Sequence, residues 1–204
     1  MAITTEQVKE LRDKTGVSIM QCRKALEEAG GDMEKAAIIL RKKSGDIAAK
    51  RTDRTFGAGT VQSYIHATGN VGAMVVLVSE TDFVSGNDEF KALARDIAMH
   101  ITAARPKYLR STDISEAERT QVKEVLEAEM KKIDAEKGGK PKPAEMQEKI
   151  LEGKLNAYFG EMVLLNQPFI KNPELTIQGL IDSAVQKFGE KIEVARFSRL
   201  GVTE

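Results

Sequence analysis

The segment Ser79–Asn87, SETDFVSGN, follows a run of aliphatic residues and sets one acid directly beside one aromatic ring. Asp82 supplies a carboxylate, and Phe83 supplies an apolar phenyl ring. This pattern allows two interpretations. Phe83 can fold back on its own sheet while Asp82 accepts hydrogen bonds from loop amides, or the pair can project and act on another molecule. The segment alone leaves both open.

Few other residues could do chemistry, since the chain has one cysteine and two histidines. Cys22 shares the i, i+3, i+7 spacing of an interior helix face with Ile19 and Leu26, which predicts a packing role and not a nucleophile. His66 and His100 lie in different predicted elements, without the spacing of a zinc site, so no metal or cofactor is expected. His100 is predicted to be structural, whereas His66 lies on a polar strand face that leaves it available for a partner.

The segment Phe56–Thr60, FGAGT, contains a G-x-G pattern. A phosphate-binding loop would also need a third glycine, a lysine and a following helix, and a predicted strand comes next instead. No nucleophile, base and orienting group converge in the sequence, so neither a hydrolase nor a transferase is expected.

Met20 is rotated about 100° from Ile19 on a helix, which predicts an exposed Met20 beside an inward Ile19.

The composition limits the class of protein. A chain of 204 residues with 41% hydrophobic content can bury a sizeable core in one or two domains. The 31 basic and 31 acidic residues balance, so neither a nucleic acid nor an anionic membrane is implied as a partner. A single cysteine, an N-terminus MAITTEQVKE without signal character, and no apolar run near the roughly 20 residues of a membrane span predict a cytoplasmic location.

Three helices are predicted in the first 45 residues, because their start and stop signals are written in the sequence. The signals are Thr4 with Gln7, Gly16, Ser18 with Gln21, Gly30, Asp32 and Gly45. Residues 1–46 therefore form a predicted three-helix module. Residues 47–57 have little periodicity and are predicted to be a linker, with helix possible at its start.

Residues 58–204 are predicted to form an α+β core with a three-stranded antiparallel sheet. Residues 60–67 alternate, with a polar face formed by Thr60, Gln62, Tyr64 and His66. Residues 71–78 are apolar throughout, as in a buried central strand, and KIEVARFSRLG has the composition of a third strand.

Helices are predicted after Asn87 up to Pro106 and from Ile177 to Phe188. A helical hairpin at about 115–160 is predicted to break at GGKPKP, residues 138–143.

A resemblance to a known family rests on four segments, three of them long: ELRDKTGVSIMQCRKALEEAGGDMEKA, TDFV, IAMHITAARPKYL and GKPKPAEMQEKILEGKLNAYFGEMVLLNQPF. In this order, the chain resembles bacterial translation elongation factor Ts. The resemblance implies a guanine nucleotide exchange factor for the GTPase elongation factor Tu, which is not an enzyme. It also implies that the N-terminal module is similar to a ubiquitin-associated (UBA) domain.

The resemblance also implies the site residues. In the family the TDFV motif enters the GTPase beside its Mg²⁺ site, which assigns Mg²⁺ dislocation to Thr81, Asp82, Phe83 and Val84. Family contact positions match Arg12, Ile19, Met20, Arg23, Arg51, His66 and Ile170. Ser85-Gly86 departs from the Ala-Lys that often follows the motif, and Arg23 replaces another basic residue with different hydrogen-bond geometry.

Long family members contain two related core halves, and this chain has room for one. A homodimer that restores the paired surface, giving a 2:2 complex with elongation factor Tu, is therefore expected. The C-terminal strand has no cysteine, so a dimer joined there must be noncovalent. The competing class is an adaptor that binds a partner through the N-terminal module. Substitutions in TDFV would discriminate the two, since only an exchange factor needs this motif.

Overall fold

A computed structural model describes residues 3–136 and 144–203 of the chain. It divides into two compact units, Met1–Ala103 with Pro168–Glu204 and Ala104–Gln167. The division into residues 1–46, 47–57 and 58–204 stays a prediction. The described part of the chain contains no helix with the length and apolarity needed to cross a bilayer.

In chain order the elements are α1 (Thr5–Thr15), α2 (Ile19–Glu28), α3 (Met33–Ala49), β1 (Ala58–Ile65), β2 (Val71–Ser79), α4 (Asp82–Ser85), α5 (Asp88–Ala104), α6 (Glu116–Glu136), α7 (Ala144–Gly160), β3 (Pro168–Phe169), β4 (Asn172–Thr176), α8 (Ile177–Phe188) and β5 (Ile192–Gly201). The α+β class with a three-stranded antiparallel sheet is confirmed.

The three N-terminal helices begin and end close to their predicted signals. Thr4 and Gln7 form the full capping box of α1, and Gly16 ends it in the left-handed conformation at φ 69°. Ser18 makes half of its predicted box, because its hydroxyl accepts from the Gln21 amide without the reciprocal bond. The module has its own core, which consists of Val8, Leu11, Val17, Cys22, Ala25, Leu26, Ala36 and Leu40.

The predicted end of α3 at Gly45 is wrong, since the helix continues to Ala49. Its last turns pack on α8, where the Ser44 hydroxyl hydrogen-bonds to Gln186. Gln186 in turn donates to Gln21 at 3.1 Å. Glycine costs only about 1 kcal/mol inside a helix, so these tertiary contacts override the local stop signal.

The sheet order is β1-β2-β5, which confirms the predicted hairpin, central strand and third strand. The register places Thr60 opposite Leu77 and Gln62 opposite Val75, on the face that is buried. The polar face of β1 is therefore half-buried and not the open face expected from its composition.

The opposite face of the sheet is exposed and carries large apolar residues beside Ser63, Arg196 and Ser198. Val61, Ile65, Met74 and Leu200 are between 53% and 75% exposed. The strand pairing puts all four on one face, because Val61 lies opposite Val76, while Ile65 and Leu200 both lie opposite Gly72. We call these four residues the outer sheet face.

The G-x-G pattern at the start of β1 is explained by close backbone packing. A Cβ at Gly57 would lie 2.7 Å from the Glu80 carbonyl oxygen, and one at Gly59 would lie 2.7 Å from the Leu77 carbonyl oxygen. Both glycines therefore allow β1 to approach β2.

Helices α5 and α8 supply much of the remaining core of the first unit. Asn87 caps α5 by accepting from the Glu89 amide at 2.8 Å, and α8 has the predicted bounds. Phe90 of α5 and Phe188 of α8 meet edge to face at 6.0 Å between ring centroids.

The second unit contains the predicted helical pair. Helices α6 and α7 share a core that includes Leu151, Leu155 and Phe159, with Leu126 packed against it. A bridge joins Tyr108, in the segment before α6, to Val163, in the segment after α7, as an antiparallel pair requires. The predicted break at residues 138–143 lies outside the described residues.

Candidate functional site

The TDFV segment leaves the end of β2 and forms the one-turn helix α4, where the sequence predicted only a loop. Phe83 is 85% exposed, whereas the adjacent Val84 is 3% exposed and belongs to the core. Phe83 therefore does not fold back on the sheet. Val84 anchors the turn that carries it.

Asp82 lies beside Phe83 in α4 and is exposed. Across residues 3–136 and 144–203, no hydrogen bond or ion pair satisfies its carboxylate. The interpretation in which Asp82 accepts from loop amides is thus not the one observed. Asp82 and Phe83 together present a charge and a ring to solvent.

Thr81 precedes this pair and is bound within the protein. Its amide and hydroxyl both donate to the Glu190 carboxylate in the turn between α8 and β5. Its carbonyl accepts from the Ser79 hydroxyl at 2.9 Å. Of the four predicted residues, two project and two hold the turn.

Arg51 is brought to the same place by Glu80. Its guanidinium lies 3.6 Å from the Glu80 carboxylate and donates to the Gly189 carbonyl. Arg54 contacts Glu80 at 2.8 Å, and the Lys191 amide donates to it at 2.6 Å. Burial alone would raise the pKa of Glu80, but the Lys191 amide and the arginines outweigh it and hold the pKa below its usual value.

The N-terminal module presents two neighbouring apolar side chains at the start of α2. Met20 is 70% exposed as predicted, but Ile19 is also 55% exposed, so its predicted inward orientation is wrong. Ile19 is the first residue of the helix and lies outside the core that Cys22 and Leu26 fill. Arg12 and Arg23 are exposed on the same module, Arg23 at 3.4 Å from Glu27.

The C-terminal end of α8 connects this module to the TDFV turn. The α1–α2 turn at Gly16 lies against Lys187. The Lys187 ammonium pairs with Glu89 at 2.9 Å, in the first turn of the helix that follows TDFV. We call Asp82, Phe83, Ile19, Met20 and Arg51 the near patch.

His66 and Ile170 lie elsewhere. His66 is exposed at the tip of the β1–β2 hairpin, where its amide donates to Val71 at 2.9 Å. The 8 residues of β1 separate it from the TDFV end of the sheet, which corresponds to roughly 25 Å. His66 therefore does not belong to the near patch.

Ile170 occupies the β3–β4 turn, and its amide donates to Nδ1 of the fully buried His100 at 3.3 Å. This confirms the structural role of His100. The same end of α5 contacts β5, because Arg199 of β5 donates to the Thr102 carbonyl at 3.1 Å. Arg199 lies opposite Ala73 of β2, near the hairpin tip that carries His66. We call His66 and Ile170 the far patch.

Sequence reasoning missed Glu80, Glu190 and Lys187, which hold the near patch together. Glu190 and Thr81 are 109 positions apart, so only the tertiary fold brings them into contact. Gly189 ends α8 in the left-handed conformation, a local feature that gives no indication of a partner for Glu190.

Among residues 3–136 and 144–203, no group of three or more histidine, cysteine or acidic side chains could hold a metal ion. Burial raises the pKa of the Cys22 thiol, which keeps it protonated in the interior of the module. The TDFV turn presents an exposed acid and an exposed ring.

Comparison with known proteins gives the family. A family model described as "Elongation factor TS" matches residues 4–204. The chain is similar to elongation factor Ts of Carboxydothermus hydrogenoformans, with 46% identity covering 99% of this chain and 90% of that protein. It is 48% identical to elongation factor Ts of Thermodesulfovibrio yellowstonii, covering 99% and 97%, and 43% identical to that of Syntrophus aciditrophicus, covering 100% and 98%. The chain therefore belongs to the elongation factor Ts family.

Proposed function

We propose that this chain is a guanine nucleotide exchange factor that binds elongation factor Tu·GDP, displaces Mg²⁺ and promotes GDP release for exchange to GTP in translation. It makes and breaks no covalent bond, needs no cofactor of its own and works in the cytoplasm. The observation that carries this proposal is the 85% exposed Phe83 beside the exposed Asp82, on a turn fixed to the fold.

The mechanism follows from how Mg²⁺ holds a nucleotide. The ion requires near-ideal octahedral oxygen ligation and ties the diphosphate to the GTPase. Asp82 would compete electrostatically for the ion and its water ligands, and Phe83 would wedge into the loops around it. Thr81 and Val84 would keep the pair in position.

Phe83 cannot supply the whole effect. Burying its ring contributes about 1.5 to 3 kcal/mol, whereas weakening nucleotide binding roughly 10⁴-fold needs about 5.5 kcal/mol of differential interaction. Further contacts must therefore favour the nucleotide-free GTPase. Coupling is reciprocal, so GTP binding in turn weakens the complex and releases the factor.

The two patches can provide these contacts on separate regions of the GTPase. Ile19 and Met20 offer apolar area in the near patch, and His66 and Ile170 offer a second site roughly 25 Å away along the sheet. The proposed partner-binding residues are Arg12, Ile19, Met20, Arg23, Arg51, His66 and Ile170.

We also propose that two copies associate through the outer sheet face and bind two GTPases. A single exposed face with four large apolar residues is unusual for a monomer. A two-fold contact places the same apolar patch on both subunits and is self-complementary by construction. Gly72, at the hairpin end of this face between Ile65 and Leu200, would let the two sheets approach closely there.

Stopped-flow release of labelled GDP from elongation factor Tu tests the exchange function. Phe83→Ala should slow factor-stimulated release about tenfold to a hundredfold, from the loss of its burial energy, and Asp82→Ala should also slow it. Ile38→Ala is the apolar control, since Ile38 is 60% exposed on α3. Asp88→Asn is the charge control six residues beyond Asp82.

An adaptor would behave differently in the same traces. If Asp82→Ala and Phe83→Ala bind the GTPase and release GDP at the wild-type rate, the exchange mechanism is wrong and the N-terminal module becomes the functional surface.

A further inference from the structure

The turn between α8 and β5 and the segment before Asp82 form a reciprocal clasp. The Glu190 carboxylate accepts from the Thr81 amide at 3.0 Å and from the Thr81 hydroxyl at 2.5 Å. The Glu80 carboxylate accepts from the Lys191 amide at 2.6 Å. Each acid thus binds the amide of the residue that follows the other acid.

The two halves of the clasp differ in charge compensation. Glu80 has Arg54 at 2.8 Å and Arg51 at 3.6 Å as cationic partners. Among the described residues, Thr81 donates both of the hydrogen bonds that Glu190 accepts. Glu190 therefore acts on one residue, which is the residue directly before the exposed acid and ring.

Helix α4 needs this external support. It has four residues, and a single turn has too few internal hydrogen bonds to be stable alone. Thr81 stands at its N-cap position, yet its side chain accepts no cap bond from the helix amides. Its hydroxyl donates to Glu190, outside the helix. The position of α4 is consequently set from outside by Glu190 at one end and by the buried Val84 on its inner side.

We propose that Glu190 is a positioning residue that pre-orders Asp82 and Phe83 for insertion into the nucleotide site of the partner GTPase, a role that rests on the proposed exchange function. A fixed turn does not lose conformational freedom on binding, so less interaction energy is spent on ordering it. Without Glu190, Asp82 and Phe83 remain present, but the turn that carries them samples other positions.

Amide hydrogen exchange of residues 81–86 in the free protein tests the clasp directly. Glu190→Ala should speed exchange in this segment about tenfold, as expected for a lost charge-assisted hydrogen bond. Glu190→Gln should restore most of the protection, because the amide oxygen can accept from the Thr81 N–H while the amide nitrogen donates to the Thr81 hydroxyl. Glu174→Gln in β4 is the control and should change nothing in this segment.

The functional arm uses the same variants in GDP release. Glu190→Ala should slow release about tenfold, Glu190→Gln should recover it, and Thr81→Val should lower it in the same direction. The double variant Glu190→Ala/Thr81→Val should be no slower than Glu190→Ala alone, since Glu190→Ala already removes the hydroxyl bond that Thr81→Val removes. Thr81→Val also serves if Glu190→Ala fails to fold.

The outcomes separate this inference from the proposed function. Unchanged amide exchange in Glu190→Ala, or faster amide exchange with a wild-type rate of GDP release, overturns the positioning role. If the wild-type protein does not accelerate GDP release at all, the proposed function fails. The amide exchange of residues 81–86 still decides in that case whether Glu190 orders the turn.

Discussion

Phe83 and Val84 are adjacent in the chain and have opposite environments, 85% and 3% exposed. This contrast is what a projecting binding element requires, because one side chain must anchor the turn while its neighbour leaves the core. An exposed phenyl ring forgoes about 1.5 to 3 kcal/mol of burial in the free protein. That energy becomes available when a partner covers the ring, so the same residue contributes little to folding and much to association.

Glu80 predicts a pH dependence at the residue scale. Its pKa in the folded protein lies below the ordinary 4.5, so its ionised form stabilises the fold. This contribution is complete above pH 4.5 and is lost as the pH falls through the lowered pKa. Glu80→Gln should therefore destabilise the protein by about 1 kcal/mol at pH 7, and the difference from wild type should shrink in acid.

Urea denaturation of both proteins at a series of pH values between neutral and strongly acidic checks this. Glu174→Gln, on an exposed strand of the same unit, should show no such convergence. A constant difference between Glu80→Gln and wild type across the whole range would mean that the ionised carboxylate is not what stabilises the clasp.

At the scale of elements, local signals gave many boundaries and tertiary contacts decided the rest. The capping box at Thr4 and the bounds of α8 are readable because each depends on residues within one helix. The end of α3 is not readable, since Ser44 and the following turns continue against α8. Propensity is a weak prior where such packing exists.

The candidate site divides in the same way. TDFV was found from its sequence, but its conformation as a helical turn depends on Glu190, which no local pattern connects to it. The faces of β1 were assigned wrongly for a related reason. Alternation along a strand places Gln62 and Val61 on opposite sides of the sheet. The register with β2 and the helices that cover the sheet decide which side is buried.

Two glycines predict opposite effects of the same substitution. Gly59→Ala should destabilise the protein by about 1 to 3 kcal/mol, because its Cβ would lie 2.7 Å from the Leu77 carbonyl oxygen and force the strands apart. Gly153→Ala should stabilise α7 by about 0.8 to 1 kcal/mol, since an added Cβ would meet no described atom within 4 Å apart from its chain neighbours and the helix's own backbone, and alanine is the better helix former.

Thermal unfolding followed by circular dichroism measures both variants under one set of conditions. The prediction concerns the sign of each change. A Gly59→Ala protein as stable as wild type would show that β1 can shift to admit a methyl group, and the close approach would then not explain the glycine.

For the whole molecule, the near and far patches and the outer sheet face lie on different parts of the first unit. The near patch lies at the TDFV end of the sheet, whereas the outer sheet face reaches the hairpin tip, where Ile65 directly precedes His66 of the far patch. Self-association through that face would therefore leave the near patch available to a GTPase. In the proposed 2:2 complex, the dimer contact would lie next to His66.

The outer sheet face predicts the effect of a single charge on the oligomeric state. Met74 lies opposite Ser63 and Ser198, at the middle of this face. Met74→Lys would bring an ammonium from each copy into the contact, on the face that already carries Arg196, a cost of several kcal/mol. The light-scattering mass should fall from twice 22.4 kDa to 22.4 kDa, while Ile38→Lys on α3 should leave it unchanged.

Because apolar burial drives the contact, added salt should not dissociate the wild-type dimer. A wild-type mass of one chain at micromolar concentration would contradict the dimer, and a Met74→Lys protein that remains dimeric would place the contact on another surface.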